Sequence, residues 1–220
     1  MSEPSAPTTV KVWDPFIRIF HWVLVIGFTV AYLTEGEPEW LHITAGFTVA
    51  GLVAARIVWG FVGPQHARFS DFTYSPAKVF GYLRDLVTFR AKRYLGHSPA
   101  GGAMVIALLL SLAGTTGTGA YMYFTHDEGG ARQESMVVAP EKAMLTAEGL
   151  IVTPAYADED EYGEGREGGE REESPVAELH EFFANLTLFL VILHLGGVAL
   201  ASFAHRENLP RAMVTGEKRG

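Results

Sequence analysis

Two histidines stand fourteen residues apart in the stretch HEFFANLTLFLVILH, at His180 and His194, with Glu181, Asn185 and Thr187 the polar exceptions in an apolar run. A helix turns about 100° and rises about 1.5 Å per residue, so both rings leave nearly the same face, about 21 Å apart. The same spacing separates His42 from Arg56 in HITAGFTVAGLVAAR, and His21 lies in a third apolar stretch, DPFIRIFHWVLVIGF. Imidazole in such surroundings ligates a metal, moves a proton or satisfies a buried hydrogen bond. There is no cysteine. That excludes disulfides, thiolate metal sites, iron–sulfur clusters and haem attached through CxxCH. A metal or haem must here be held by histidine, methionine or oxygen.

The elements that position these side chains are marked by composition. Of 220 residues, 48% are hydrophobic, and they collect in four blocks, 16–34, 40–62, 101–124 and 178–203. Each has the length a helix needs to cross roughly 30 Å of hydrocarbon, so the expected fold is all-α, a transmembrane four-helix bundle in one membrane-integral domain spanning 1–220. A cleaved signal peptide suits the first block poorly, because no small-residue cleavage site precedes TEGEPEW. Asp14-Pro15, Glu37-Pro38, Ser75-Pro76, Ser98-Pro99 and Ser174-Pro175 each put a capping oxygen before a proline, a favoured helix entry, with Glu37 the weaker cap. Four of them precede the apolar blocks. The fifth opens AKVFGYLRDLVTFRAKRYL, where apolar and basic residues interleave as in an amphipathic helix lying at a membrane interface.

The connection 63–97 carries Arg68, Lys78, Arg84, Arg90, Lys92 and Arg93 against Asp71 and Asp85, while EGEPE at 35–39 has no basic residue. The positive-inside rule then places both termini and 63–97 in the cytoplasm of a bacterial inner-membrane protein. The acidic turn and the insertion 125–177 face the other side. That insertion holds 14 acidic and 4 basic residues, so the formal charge of −8 belongs to one extracytoplasmic loop. Within it, MVVAP and GLIVTPAYA are apolar enough to pack. The tract 158–173, DEDEYGEGREGGEREE, is expected to be disordered, either as a solvated linker or as a docking surface for a basic partner. No nucleic-acid partner is expected.

Chain direction alternates from helix to helix, so depth can be followed. His42 and His180 fall near the extracytoplasmic surface, and His21 and His194 in the cytoplasmic half. Ionisable groups inside a bilayer are costly and mark function. Two imidazoles from facing helices at each of two depths are what bis-histidine haem ligation requires. Zinc needs a third or fourth protein ligand that neither level offers. Two noncovalent b-type haems (heme b) fit best, with His21/His194 and His42/His180 as axial iron ligands. Arg56 drops to the inner level, where it either pairs with a haem propionate or snorkels to the interface. The glycines at 46, 51, 114, 117, 119, 196 and 197 admit a flat macrocycle, though close helix packing is the expected cause for most. His66, His97, His126 and His205 are expected at surfaces or interfaces, with His97 and His205 candidates for a cytoplasmic-side proton or quinone site.

These stretches resemble the bacterial cytochrome b561 family and the related b-type cytochrome subunits of nickel–iron hydrogenases. The resemblance rests on VWDPFIRIFHW, LHITAGFTVAGLVAARIVWG, GPQHARFSDF, GHSPAGGAMV, LHEFFANLTLFLVILHLGGV and HRENLPRAM, nearly the whole chain apart from 125–177. Ser98 departs from it, standing where the GHNP pattern has Asn, as does the long insertion. The resemblance implies a four-helix di-haem membrane protein passing electrons between the quinone pool and a redox partner, its ligands at His21, His42, His180 and His194. A basic periplasmic c-type cytochrome or an oxidoreductase subunit is the expected partner, beside membrane lipid. Two other readings stand: a superoxide:quinone oxidoreductase, and a non-redox metal-ion or proton carrier using the same histidines.

Overall fold

A computed structural model describes residues 9–35, 37–138 and 174–220, with 126–138 as backbone only. The apolar blocks become four long helices, α1 (Pro15–Leu33), α2 (Glu39–Val62), α5 (Pro99–Val138) and α6 (Pro175–His205). A 3-10 turn (Gln65–Ala67), α3 (Phe69–Phe72) and α4 (Pro76–Val87) link α2 to α5. Beyond α6 come α7 (Leu209–Thr215) and a short strand β2 (Glu217–Arg219), which pairs antiparallel with β1 (Thr9–Lys11).

Three of the proline entries are capped as expected. Asp14 accepts from the Ile17 N–H at 3.1 Å, Ser98 from Gly101 at 3.2 Å and Ser174 from Ala177 at 3.3 Å. Ser75 makes no side-chain cap, and α2 takes Pro38 rather than Glu37 as its cap residue. α1, α2, the Pro99–Thr125 part of α5, and α6 are each long and apolar enough to cross a membrane. The α5 backbone stays helical to Val138 rather than ending near residue 124. The change to polar residues ends the span but not the helix, and no proline follows until Pro140. Of the segments MVVAP and GLIVTPAYA and the tract 158–173, only the backbone of 136–138 falls within the described residues.

α1 packs on α2, α2 on α5, and α5 on α6. Phe20, Val49, Val53, Leu109 and Leu112 form the buried core among α1, α2 and α5. The α5–α6 seam uses small residues: Ser111 Oγ lies 2.8 Å from Thr187 Oγ1, both buried, and Gly114 faces the ring of Phe183. Ile19, Ile26, Phe189, Ile192 and Leu195 are exposed on the outer faces of α1 and α6, as a hydrocarbon solvent requires. α4 buries Tyr82 and Leu86, one turn apart, and exposes Phe80, Leu83 and Val87.

The two ends of the chain meet beneath α1. Val12 and Trp13 donate their N–H groups to the Gly216 carbonyl at 2.9 and 3.1 Å. Gly216 itself sits at φ +84°, where a Cβ would come within 2.9 Å of the Trp13 carbonyl. β1 and β2 therefore lie together, on one side of the helices. Glu207 locks this clasp: Arg93 donates to its two carboxylate oxygens at 2.9 and 3.3 Å, and the Arg219 N–H donates at 3.2 Å. Burial pushes the Glu207 carboxyl up, but Arg93, Lys218 and the Arg219 N–H together hold it below its usual range. A depressed carboxyl stabilises the fold above its unfolded pKa, and that stability is lost as pH falls through the folded value. Glu207→Gln is expected to cost about 1.5 kcal/mol at neutral pH. Thermal unfolding in detergent should show variant and wild type converging below about pH 4; a pH-independent gap would mean that packing, not charge, holds the clasp.

Candidate functional site

α6 lies along α5 and has no comparable backbone packing against α1 or α2 among the described residues. Across that gap the four histidines face one another in pairs. The ring centres of His42 (α2) and His180 (α6) are 6.2 Å apart, and those of His21 (α1) and His194 (α6) are 6.5 Å apart. Two imidazoles bound end-on to opposite sides of one metal ion stand about 6 Å apart between ring centres, given metal–nitrogen bonds of about 2.0–2.1 Å. Both pairs meet that separation. Among the described residues no three His, Cys, Asp or Glu side chains converge to hold a bare metal ion. Each level thus offers two nitrogen donors and no more, a set that suits an iron whose other ligands come with its macrocycle.

The His42/His180 level is held by main-chain carbonyls. His42 Nδ1 donates to Ala31 O at 2.9 Å, and that carbonyl, in the last turn of α1, has no partner of its own within the helix. His180 Nδ1 donates to Thr115 O at 2.9 Å and lies 3.1 Å from Thr118 Oγ1. A carbonyl can only accept, so Nδ1 carries the proton in both rings and Nε2 keeps its lone pair. Gly119 makes room for this, since a Cβ there would stand 2.9 Å from His180 Cε1. At the other level His21 Nδ1 is buried without a partner among the described residues.

Arg56 is 2% exposed, so it does not snorkel to an interface. Its guanidinium lies over the rings of Phe69 (5.3 Å) and Phe72 (5.8 Å), and Nη1 is buried without a partner among the described residues. Cation–π contact compensates the guanidinium face but leaves its N–H edge unpaired. One turn further from the centre of α2 than Val53, which packs in the core with Phe20, Arg56 stands at the His21 end of the gap.

The other histidines divide. His66 Nδ1 pairs with Asp71 at 3.0 Å, both partly exposed, and His205 Nε2 lies 3.3 Å from the Tyr82 hydroxyl. The His126 side chain falls outside the described residues. His97 is not at a surface as expected: its ring sits between Trp13 (4.7 Å) and Phe72 (4.5 Å), with Nδ1 buried. Burial, then the nearby Arg56 and Lys218 charges, lower its pKa to about 3. The glycine expectation also changes. Gly114 and Gly119 are close approaches, but a Cβ at Gly46, Gly51, Gly117, Gly196 or Gly197 would meet nothing within 4 Å. Gly46 lies one turn from His42 on the same face.

The sequence singled out the four histidines, which the structure brings together in pairs, and Arg56, which it buries. The sequence left out the Ala31 and Thr115 carbonyls, which have no side-chain signal, and Thr118, whose setting in TTGTG was the one visible hint.

Curated relatives include a probable Ni/Fe-hydrogenase B-type cytochrome subunit of Rhodobacter capsulatus, 25% identical over 147 residues, 53% of this chain and 55% of that one. Another so described, from Bradyrhizobium diazoefficiens, is 27% identical over 145 residues, 52% of this chain and 58% of its own. The chain thus spans about half the length of these relatives. No solved structure matches it. The model of the prokaryotic cytochrome b561 family matches residues 12–216, a range that includes all four histidines and four helices able to span a membrane. Membership implies haem b and electron transfer within a membrane, and on that match this multi-pass membrane chain belongs to the prokaryotic cytochrome b561 family.

Proposed function

We propose that the chain binds two b haems, one between His42 and His180 and one between His21 and His194, and carries electrons across the bilayer between them. The observation that carries this is the pair of facing imidazoles at each level, 6.2 and 6.5 Å apart between ring centres. When bound, each haem supplies a one-electron iron couple. His42 and His180 would hold one haem, and His21 and His194 the other, through a ring nitrogen apiece. With two protein nitrogens on each iron, the chemistry supplied would be outer-sphere electron transfer rather than ligand binding. Ala31 and Thr115 aim the Nε2 lone pairs of His42 and His180 by holding their Nδ1 protons, and such outer hydrogen bonds also raise ligand basicity. Arg56 offers its unpaired edge to a propionate at the inner level.

In this reading the four long helices are a transmembrane bundle in a bacterial inner membrane, with α4 at the cytoplasmic interface and both termini cytoplasmic. Quinone is the mobile partner. An oxidoreductase subunit is the other, in keeping with the relatives described as hydrogenase cytochrome subunits. Reduced-minus-oxidised spectra and iron analysis of haem-loaded protein test the cofactor assignment. Two low-spin components and two irons per chain, all extractable with acid acetone, are expected; one iron or none rejects it.

The acidic insertion, on the His42/His180 side, supports a basic soluble electron carrier such as a c-type cytochrome as a partner there. Charge steering is screened beyond about 8 Å at physiological salt. Deleting 158–173 is expected to slow electron exchange with such a carrier about tenfold at low salt and to leave both haem spectra intact. Equal stopped-flow rates for intact and deleted protein at low salt would make the tract a linker.

A further inference from the structure

Six buried side-chain polar atoms lack a partner among the described residues: Arg18 Nε, His21 Nδ1, Arg56 Nη1, Trp59 Nε1, His97 Nδ1 and Ser202 Oγ. The His42/His180 level contributes none of them. Two belong together. Arg56 and His97 flank the same ring, that of Phe72, which is 0% exposed: the guanidinium carbon is 5.8 Å and the imidazole centre 4.5 Å from its centroid. No carboxylate lies within ion-pair distance of Arg56 among the described residues. Asp14, at the start of α1, acts on it only at longer range. A buried guanidinium without an anion is one of the costliest arrangements a fold can hold. Its unpaired edge and a neighbouring unpaired imidazole nitrogen call for one ligand that is anionic and accepts several hydrogen bonds. A carboxylate is that ligand.

We propose that Arg56 and His97 together form a carboxylate seat for the propionate edge of the inner haem, with His97 as its second donor, and that this seat raises that haem's reduction potential. The proposal rests on the haem reading above and adds to it a role for His97. His97 suits the part because its ring is neutral, with burial and the charges of Arg56 and Lys218 opposing a second proton more strongly than Asp71 favours it. It therefore donates without placing another cation beside Arg56. Trp13 and Phe72 clamp the ring on two sides and fix the direction of that donation. The potential follows from charge. An electron added to the iron is more stable when the charge of the nearby carboxylate is balanced by the Arg56 guanidinium and drawn away from the iron by a hydrogen bond from His97. Removing either partner leaves negative charge uncompensated in a low-dielectric site.

The test is spectroelectrochemical titration of the full-length, haem-loaded protein, combined with redox-difference infrared spectra after loading with haem labelled with carbon-13 at its carboxyls. R56Q and H97L are expected to lower the potential of the His21/His194 component alone. At the wild-type midpoint its reduced-to-oxidised ratio should fall about tenfold, which is 59 mV for a one-electron couple. Labelled carboxylate bands should move in both variants. R56K and H97Q keep the charge or one donor, so they should retain most of the potential while still moving the band, and they carry the comparison if R56Q or H97L fails to assemble. Labelled bands identical in wild type and variants would show that another anion, such as a lipid phosphate, occupies the seat. Equal shifts in both haem components would reduce the effect to a general loss of structure. Either result overturns the seat while leaving two haems in place, whereas a wild-type chain that binds no haem overturns seat and haem reading together.

Discussion

Replacing His180 with alanine is expected to remove the same spectral component as replacing His42, and to spare the one that depends on His21 and His194. The rings within a pair are 6.2 and 6.5 Å apart, whereas the two levels are separated by about four turns of α6, or about 21 Å. A coordination bond acts over about 2 Å, so a ligand lost at one level cannot unbind iron at the other except by unfolding the helices. Haem iron should therefore fall by about half in each single variant. Where one ligand retains the haem, a five-coordinate high-spin signal should replace the low-spin one, which is why spectra must accompany iron analysis. His21→Ala and His194→Ala should mirror this at the second component. If His21→Ala and His42→Ala perturb the same component, the pairing is wrong and so is the depth argument that led to it.

The depths of the four histidines follow from helix geometry and chain direction alone. The spacing between His180 and His194 is a property of one helix, and the levels of His21 and His42 follow from which way α1 and α2 run. Such local quantities survive tertiary packing, so the histidine pairs and the four spans were legible in the sequence. His97 was not. Its neighbours Trp13 and Phe72 lie 84 and 25 residues earlier in the chain, and its burial depends on the clasp between the chain ends, whose strands are three residues each. A glycine's role is equally hidden. Gly117 and Gly119 both stand in GTTGTG of α5, yet only one faces α6 closely, and rotation of α5 about its axis decides which.

That difference carries a second large effect. A Cβ at position 119 would lie 2.9 Å from His180 Cε1 and 3.3 Å from Nδ1, closer than packed carbon atoms approach. The ring would have to turn away, and in turning it would lose the 2.9 Å hydrogen bond to the Thr115 carbonyl that aims Nε2 across the gap. Gly119→Val is therefore expected to abolish the His42/His180 component without touching a ligand, and Gly119→Ala to weaken it. Position 117 is the control, since a Cβ there meets nothing within 4 Å. Gly117→Ala should keep both components. In each alanine variant α5 itself gains helix propensity, about 1 kcal/mol over glycine. Loss of the outer haem in Gly119→Ala should thus come without loss of helicity, which separates a displaced ligand from a damaged fold. Circular dichroism and haem spectra on the same samples read both quantities. If Gly119→Val retains a low-spin outer component with unchanged potential, then His180 does not depend on Thr115 for its aim. The carbonyl would then be a packing neighbour of the ring and no part of what positions it.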